Sequence, residues 1–333
     1  MSMAGTIRAW QVSQLGNPES AMSLETIAPP KRSADQVLIS VRACALNFAD
    51  SLLCAGTYQE RPPLPFTPGL EVCGTVLESP SHSPFRVGDR VIALPRLPDG
   101  GLAEQTVADL SDVFAIPESL NDLSAAALPV TYQTSWFGLF HRADLQAGET
   151  VLIHAGAGGT GSAAIQLAVA RGARVIATAG GSAKTALCRE LGADVVIDYR
   201  TEDFVSITND ATNGHGANVI FDSVGGETFT RSRKCIAFEG RIVVVGFAGG
   251  EIAEAPTNHL MVKNYGVLGL HWGNYRNLQP TTVHECHDDL MRLHAAGNID
   301  PVIGAVLPLE EAAIGLSNLM SRGTVGKVIL TTL

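Results

Sequence analysis

Three glycines, Gly156, Gly158 and Gly161, stand in the spacing G-x-G-x-x-G within His154-Ala-Gly-Ala-Gly-Gly-Thr-Gly161. Residues without a side chain let a turn tighten and bring backbone N–H groups against a pyrophosphate. The spacing alone is a weak signal; its surroundings strengthen it. An apolar run from Val151 to Ile153 leads in, and a helical pattern over 162–171 follows, with Ile165, Leu167, Ala168 and Val169 on its apolar face. Strand, glycine turn and helix in that order form the setting in which such a motif seats a dinucleotide on a helix N-terminus. Ala155, Gly156, Gly158, Gly159, Thr160 and Gly161 are therefore the candidate phosphate cradle.

A second strand, Arg174-Val-Ile-Ala-Thr-Ala179, bears on which dinucleotide is taken. NAD-specific folds place an Asp or Glu about 20 residues beyond the first glycine, on the ribose 2′-hydroxyl. Here that stretch reads Ala179-Gly180-Gly181-Ser182-Ala183-Lys184, with no acid. Gly180 leaves room for a 2′-phosphate, Ser182 can donate to it and Lys184 brings a positive charge. The sequence thus favours NADPH, with Lys184 as a plain solvated lysine the alternative.

The elements that must position these groups follow from the whole chain. It has 333 residues, 46% apolar and 17% charged, enough for two domains with sizeable cores. The net charge of −10 argues against nucleic acid or an anionic membrane surface as the main partner. Six cysteines lack any C-x-x-C spacing and read as reduced core residues, and Met1-Ser-Met-Ala-Gly-Thr-Ile-Arg8 lacks an apolar targeting core. No apolar stretch approaches a bilayer span. A cytoplasmic setting is expected.

Residues 5–125 read as β-rich, with strands over 37–42, 72–77, 90–94 and 103–108 between Pro- and Gly-rich turns. From about Ser124 helical patterns alternate with buried strands at 151–154, 174–178, 195–198, 218–222 and 241–246, as in a doubly wound parallel sheet. A helix is expected over 282–296 and a last strand over 326–331.

Together these segments resemble a known family. Ala45-Leu-Asn-Phe-Ala-Asp50, Gly69-Leu-Glu-Val-Cys-Gly74, Val87-Gly-Asp-Arg-Val91, Leu128-Pro-Val-Thr-Tyr-Gln-Thr134, the glycine turn, Ile197-Asp-Tyr-Arg200, Asp222-Ser-Val-Gly225, Val245-Gly-Phe247 and Ser321-Arg-Gly-Thr-Val-Gly-Lys327 follow the order and spacing of the medium-chain dehydrogenase/reductases. Within them the chain is similar to the quinone oxidoreductase (zeta-crystallin-like) branch. The resemblance implies an α/β fold. A GroES-like β-rich catalytic domain would span 1–126 and 303–333, and a Rossmann doubly wound NADP(H)-binding domain 127–302.

Zinc alcohol dehydrogenases and zinc-free reductases share this superfamily. The zinc branch places Cys and His before the position of Ala49-Asp50, where this chain has Leu46-Asn47-Phe48, and Gly-His-Glu where this chain has Gly69-Leu70-Glu71. Leu70 cannot ligate, and no cysteine lies between Cys73 and Cys188 to build a structural zinc lobe. His284, Cys286 and His287 put only two ligands on one helix face and read as part of a solvated amphipathic helix. No metal is expected.

Without one, hydride must go to an acceptor that is already electrophilic, such as a quinone or an α,β-unsaturated carbonyl. The resemblance places Asn47, Tyr58 and Thr131 beside nicotinamide and substrate, with Asn47 and Tyr58 hydrogen-bonding the acceptor oxygen. On residue type alone, Asn47 is equally a turn residue and Tyr58 a packed aromatic. The resemblance also supplies a 2′-phosphate clamp of Gly180, Lys184 and Tyr199. Ser223, Gly246 and Phe247 follow later strand ends, where dinucleotides lie. Arg322 is either a cofactor contact or a solvated loop arginine, and Trp272 and Tyr275 either stack on substrate or serve a dimer contact. A homodimer joined near Val262–Leu270 is implied. The expected activity is an NADPH:quinone reductase. The rivals are an NADPH-dependent enone or enoyl-thioester reductase and a low-turnover NADPH-binding scaffold.

Overall fold

The computed structural model describes residues 5–332. The sequence readings that touch residues 1–4 and 333 lie outside them. The chain forms two compact units, one of residues up to Val130 together with Pro301 onward, the other Thr131–Asp300.

The first unit opens with strands β1 (Ile7–Val12) and β2 (Met22–Ile27), an antiparallel ribbon. It is not among the strands read from the sequence; in β2 the alternation of Met22, Ser23, Leu24 and Glu25 breaks at Thr26, which leaves only a short strand pattern. Then come β3 (Gln36–Ala45), helix α1 (Phe48–Ala55), β4 (Val72–Glu78), β5 (Arg90–Ala93), β6 (Gln105–Asp109) and β7 (Val113–Ala115). Val37, Ile39 and Val41 of β3 point into the same core as Val72, Val76 and Val91, as the two-residue period of a strand requires. Asn47 stands before α1, and Asp50 in its first turn accepts the Asn47 N–H at 2.8 Å, half of a capping box.

Helix α2 (Pro129–Trp136) carries the chain from the first unit into the second. There follow β8 (Thr150–Ile153), α3 (Gly159–Ala170), β9 (Arg174–Ala179), α4 (Ser182–Glu190), β10 (Val195–Asp198), β11 (Ala217–Asp222), α5 (Gly226–Ser232), β12 (Ile236–Val244), β13 (Gly266–Gly269) and α6 (Pro280–Ala295). The six strands form one parallel sheet in the order β10-β9-β8-β11-β12-β13. Strand order reverses direction between β8 and β11. At such a switch point the loops beyond the carboxyl ends of the strands splay apart and leave room for a ligand.

The chain then returns to the first unit. β14 (Ile303–Pro308) and β15 (Lys327–Thr331) pair in parallel, and β15 docks antiparallel on β3. The result is a seven-stranded sheet in the order β14-β15-β3-β4-β5-β7, with β6 also on β3. Helix α6 turns Val283, Cys286, His287 and Leu290 inward, so His287 is buried rather than solvated as the sequence reading has it. No helix among the described residues is long and apolar enough to cross a membrane.

Candidate functional site

In the second unit the glycine turn follows β8 and runs straight into α3. The helix starts at Gly159, inside the motif and three residues before the start read from the sequence. A helix leaves its first N–H groups without helical acceptors. In α3 those groups belong to Gly159, Thr160 and Gly161. A Cβ on Gly161 would lie 2.2 Å from the Ala155 carbonyl oxygen, and one on Gly156 about 3 Å from Cys188 Sγ. These two glycines let turn, helix and strand pack closely. At Gly158 an added Cβ would meet only the Ala155 carbonyl oxygen, at 3.4 Å, so that face has room for a ligand. Ala155 holds φ at +53°, a left-handed conformation that costs a residue with a Cβ roughly 1 kcal/mol and tends to persist at functional turns.

His154, at the entrance to the turn, is buried. Its Nε2 lies 2.8 Å from Ser232 Oγ and its Nδ1 3.0 Å from Thr178 Oγ1. Ser232 donates its own hydrogen to the Thr228 carbonyl, so it accepts from Nε2–H, and Thr178 donates to Nδ1. Burial pushes the His154 pKa down, which matches a neutral ring pinning three elements behind the turn.

At the end of β9, the missing side chains of Gly180 and Gly181 let Tyr199 and Arg200 pack against the strand end. A Cβ on Gly180 would sit 2.6 Å from Tyr199 Oη and 3.0 Å from Arg200 Nε, and one on Gly181 3.0 Å from Arg200 Nη1. Lys184, in the first turn of α4, has its pKa lowered by burial and by the nearby charge of Arg200. Two cations therefore share this corner, and an anion between them would relieve their repulsion. Arg200 is absent from the residues singled out in the sequence, although it directly follows Tyr199. Asp198 accepts from the N–H groups of Gly181 and Arg200, both at 3.1 Å, and so shapes the turn; these donors and the Arg200 charge hold its pKa below the usual carboxylate range.

Beyond β11, Asp222 Oδ1 accepts the N–H groups of Val224 and Gly225 at 2.8 and 3.0 Å, fixing the loop that carries Ser223. The N–H of Ala248 donates to the Ser223 carbonyl, and a Cβ on Gly225 would lie 2.7 Å from Phe247. Ser223, Gly246 and Phe247 are thus brought together. Trp272 is buried and donates its indole N–H to Gln133 Oε1 at 3.2 Å. Tyr275 packs on Phe137 with ring centroids 4.4 Å apart, and lines a hollow of about 330 Å³ with Arg142, His271, Asn274 and Gln279. Both rings have partners inside the second unit.

The first unit holds a buried polar cluster. Lys327, 4% exposed, donates to Glu71 Oε1 at 2.7 Å, to Asn47 Oδ1 at 2.7 Å and to the Leu46 carbonyl at 2.9 Å. All three ammonium hydrogens are placed. Asn47 gives its amide hydrogens to Glu71 Oε1 at 2.8 Å and the Ala45 carbonyl at 3.2 Å. Both are spent within the protein, which leaves none for an acceptor oxygen in this arrangement. Glu71 Oε2 accepts the Val130 N–H at 2.7 Å. Asp50 accepts from Asn47 N and Gly69 N, yet burial pushes its pKa up to about 7 against those donors. Burial also raises the Cys44 thiol well above its usual range. Among the described residues no three of His, Cys, Asp and Glu are grouped as metal ligands would be. The oxygens of Glu71 already hold Lys327, Asn47 and Val130. This donor set does not fit a catalytic zinc, which takes three ligands from one protein pocket.

Neither Glu71 nor Lys327 stands out in the sequence as a site residue. The available signal is a lysine opening an otherwise apolar strand, Lys327-Val-Ile-Leu330. Tyr58 packs half-buried on the core of the first unit, and Arg322, with φ at +59°, sits in an exposed turn of the same unit. Thr131 is buried at the start of the second unit.

Comparisons with known proteins fit this geometry. The model of the alcohol dehydrogenase GroES-like domain matches residues 33–118, and that of the zinc-binding dehydrogenases matches 159–288. Quinone oxidoreductase-like protein 2 of Bos taurus is 41% identical, over 92% of this chain and 88% of its own. A mycobacterial structure complexed with NADPH is 28% identical with a TM-score of 0.91, covering 98% of this chain and 99% of that one. The quinone oxidoreductase of Thermus thermophilus is 33% identical with a TM-score of 0.82, over 97% of this chain and 99% of that one. With a GroES-like first unit, a Rossmann-type second unit and relatives of this extent, the chain belongs to the quinone oxidoreductase branch of the medium-chain dehydrogenase/reductase superfamily and is an oxidoreductase of that kind.

Proposed function

We propose that this protein is a zinc-independent, NADPH-dependent quinone oxidoreductase. The observation that carries the coenzyme assignment is the corner beyond β9, where two glycines let Tyr199 and Arg200 close on the strand end, Lys184 lies near the Arg200 charge, and β9 itself ends without an acid. The Asp198 carboxylate is engaged by the N–H groups of Gly181 and Arg200, and the two cations with the Ser182 and Tyr199 hydroxyls suit a 2′-phosphate. Gly158, Gly159, Thr160 and Gly161 would hold the pyrophosphate at the N-terminus of α3, between Ala155 and Gly156 on one side and Ser223, Gly246 and Phe247 on the other. Arg322 would add charge for a phosphate.

The bound coenzyme supplies the hydride; the protein supplies position and a dry site. Thr131 orients the carboxamide, and Tyr58 offers its hydroxyl to the acceptor oxygen as charge develops there. Asn47 holds Lys327 and Glu71 in place instead of donating to substrate. Trp272 and Tyr275 form one wall of the acceptor region, and water protonates the product. With the Glu71 donor set committed to Lys327, the acceptor must be electrophilic without a Lewis acid, which selects quinones and related conjugated carbonyls.

NADPH oxidation measured with 1,4-benzoquinone, 9,10-phenanthrenequinone and a panel of enones, with and without a chelator, tests this reading. Turnover of quinones unaffected by the chelator is expected. Turnover of enones alone would move the assignment to an enoyl reductase, and no turnover with any acceptor would favour a binding scaffold.

We further propose a homodimer through β13. It is the edge strand of the six-stranded sheet, and the neighbouring Met261 and Val262 are 72% and 73% exposed. An uncovered edge beside apolar residues favours pairing with a second copy. Sedimentation of a monomer at micromolar concentration would contradict it.

A further inference from the structure

We propose that Glu71 and Lys327 are positioning residues whose task is to fix the start of α2, and with it Thr131. The inference rests on the NADPH-dependent hydride transfer proposed above and assigns a role to a cluster which that reading leaves idle.

Burying such a pair is costly. A fully buried carboxylate and ammonium lose their hydration, and their mutual attraction repays this only when the remaining lone pairs and hydrogens are satisfied. Here they are. Each of the three hydrogens on Lys327 has an acceptor, and both oxygens of Glu71 have donors. Apolar residues of similar volume would give comparable stability, so stability alone does not explain the pair.

What apolar residues could not do is hold the Val130 N–H. Val130 is the second residue of α2, where a helical N–H has no acceptor within its own helix. Glu71 Oε2 takes that hydrogen at 2.7 Å. The next residue is Thr131, so the carboxylate fixes the backbone that carries the proposed carboxamide contact. Lys327 fixes the carboxylate in turn. Asn47 completes the set by donating to Glu71 and accepting from Lys327, which locks the rotation of its amide. One turn further along α2, Ser135 Oγ lies 2.8 and 2.9 Å from the carbonyl oxygens of Thr131 and Thr160, which share its single hydrogen. The helix is thereby tied to the glycine turn as well. Glu71 grips the first turn of α2 and Ser135 ties the second to the pyrophosphate cradle, with Thr131 between them.

The experiment compares two charge-free double variants, one that keeps an acceptor for Val130 and a partner for the Asn47 amide and one that keeps neither; the ester variant below isolates the Val130 contact. Lys327→Met with Glu71→Gln keeps a side-chain carbonyl there, and with Lys327 gone the Asn47 amide is free to turn and meet the glutamine. Lys327→Met with Glu71→Leu keeps none. Kd for NADPH, KM for 1,4-benzoquinone, kcat and the isotope effect with NADPH deuterated at the transferred position are measured for both. If the tether positions Thr131, the leucine double loses about 10- to 100-fold in kcat relative to the glutamine double, as expected for a misplacement of about 1 Å. Its NADPH Kd stays within about threefold and its isotope effect rises, since the phosphate contacts lie elsewhere. Equal kcat in the two doubles would overturn the proposal. Should the leucine double fail to fold, an amide-to-ester replacement at Val130 deletes only the donor and must give the same loss in kcat; an unchanged kcat there overturns the proposal equally. A wild-type protein inactive with NADPH and every acceptor would instead defeat the underlying functional reading.

Discussion

The corner beyond β9 and the cluster around Lys327 both handle charge, in opposite ways. Lys184, partly exposed, and Arg200, exposed, lie near enough for each charge to act on the other, which suits a ligand that brings an anion. Lys327 is buried with its counter-charge built in, and every donor and acceptor around it is matched. The first arrangement gains from binding; the second gains nothing from a ligand and serves only to hold shape.

This contrast can be broken most forcefully at Glu71. Removing it alone, as Glu71→Leu, strands a buried ammonium and is expected to cost about 3–5 kcal/mol of unfolding free energy in urea titrations. The double variant Lys327→Met with Glu71→Gln should recover most of that. A single variant as stable as the double would show that the pair is not electrostatically closed.

Next in size comes the glycine turn. The Cβ of Gly161→Ala would sit 2.2 Å from the Ala155 carbonyl oxygen, so helix and turn must separate. A loss of roughly 1–3 kcal/mol is expected from the overpacking, together with loss of NADPH binding in calorimetry. Gly158→Ala, whose nearest neighbour would lie at 3.4 Å, should weaken NADPH with little change in melting.

Smaller effects belong to the exposed corner. Lys184→Ala and Arg200→Ala should each weaken NADPH about 5- to 30-fold, about 1–2 kcal/mol for a partly exposed charged contact, and leave NADH within twofold. Equal losses for the two coenzymes would remove the 2′-phosphate from this corner.

The last effect is a slope, small over any one pH unit. Asp50 has a folded pKa of about 7 against about 4 in an unfolded chain. Between those values the folded protein keeps a proton that the unfolded chain has lost. The stability this provides is therefore present at low pH and is lost as pH rises towards 7, by at most about 1.4 kcal/mol per unit. Urea unfolding at several pH values in that range should show this component vanish in Asp50→Asn. An unchanged slope would mean the two backbone donors keep Asp50 ionised throughout.

How far the sequence discloses these features depends on their range. The glycine turn is legible because strand, turn and helix adjoin within about twenty residues, and each glycine has a local reason. The parallel sheet is legible for the same reason, as buried strands alternate with helices. Gly180 and Lys184 are found by counting from the turn, but Arg200 comes from the next strand and meets Gly180 only through the pairing of β10 with β9. Glu71 and Lys327 lie 256 positions apart and meet because β15 returns to β3. No local pattern encodes that meeting. Asn47 shows the consequence. Its residue type allows it to donate to an acceptor oxygen, and only the folded partners reveal that both its hydrogens are already in use.

The most direct test is the ratio of kcat/KM for NADPH to that for NADH, measured with one quinone acceptor on chelator-treated protein. The account predicts full activity after chelation and a ratio well above ten. A ratio below one, or activity that returns only with added zinc, would contradict it.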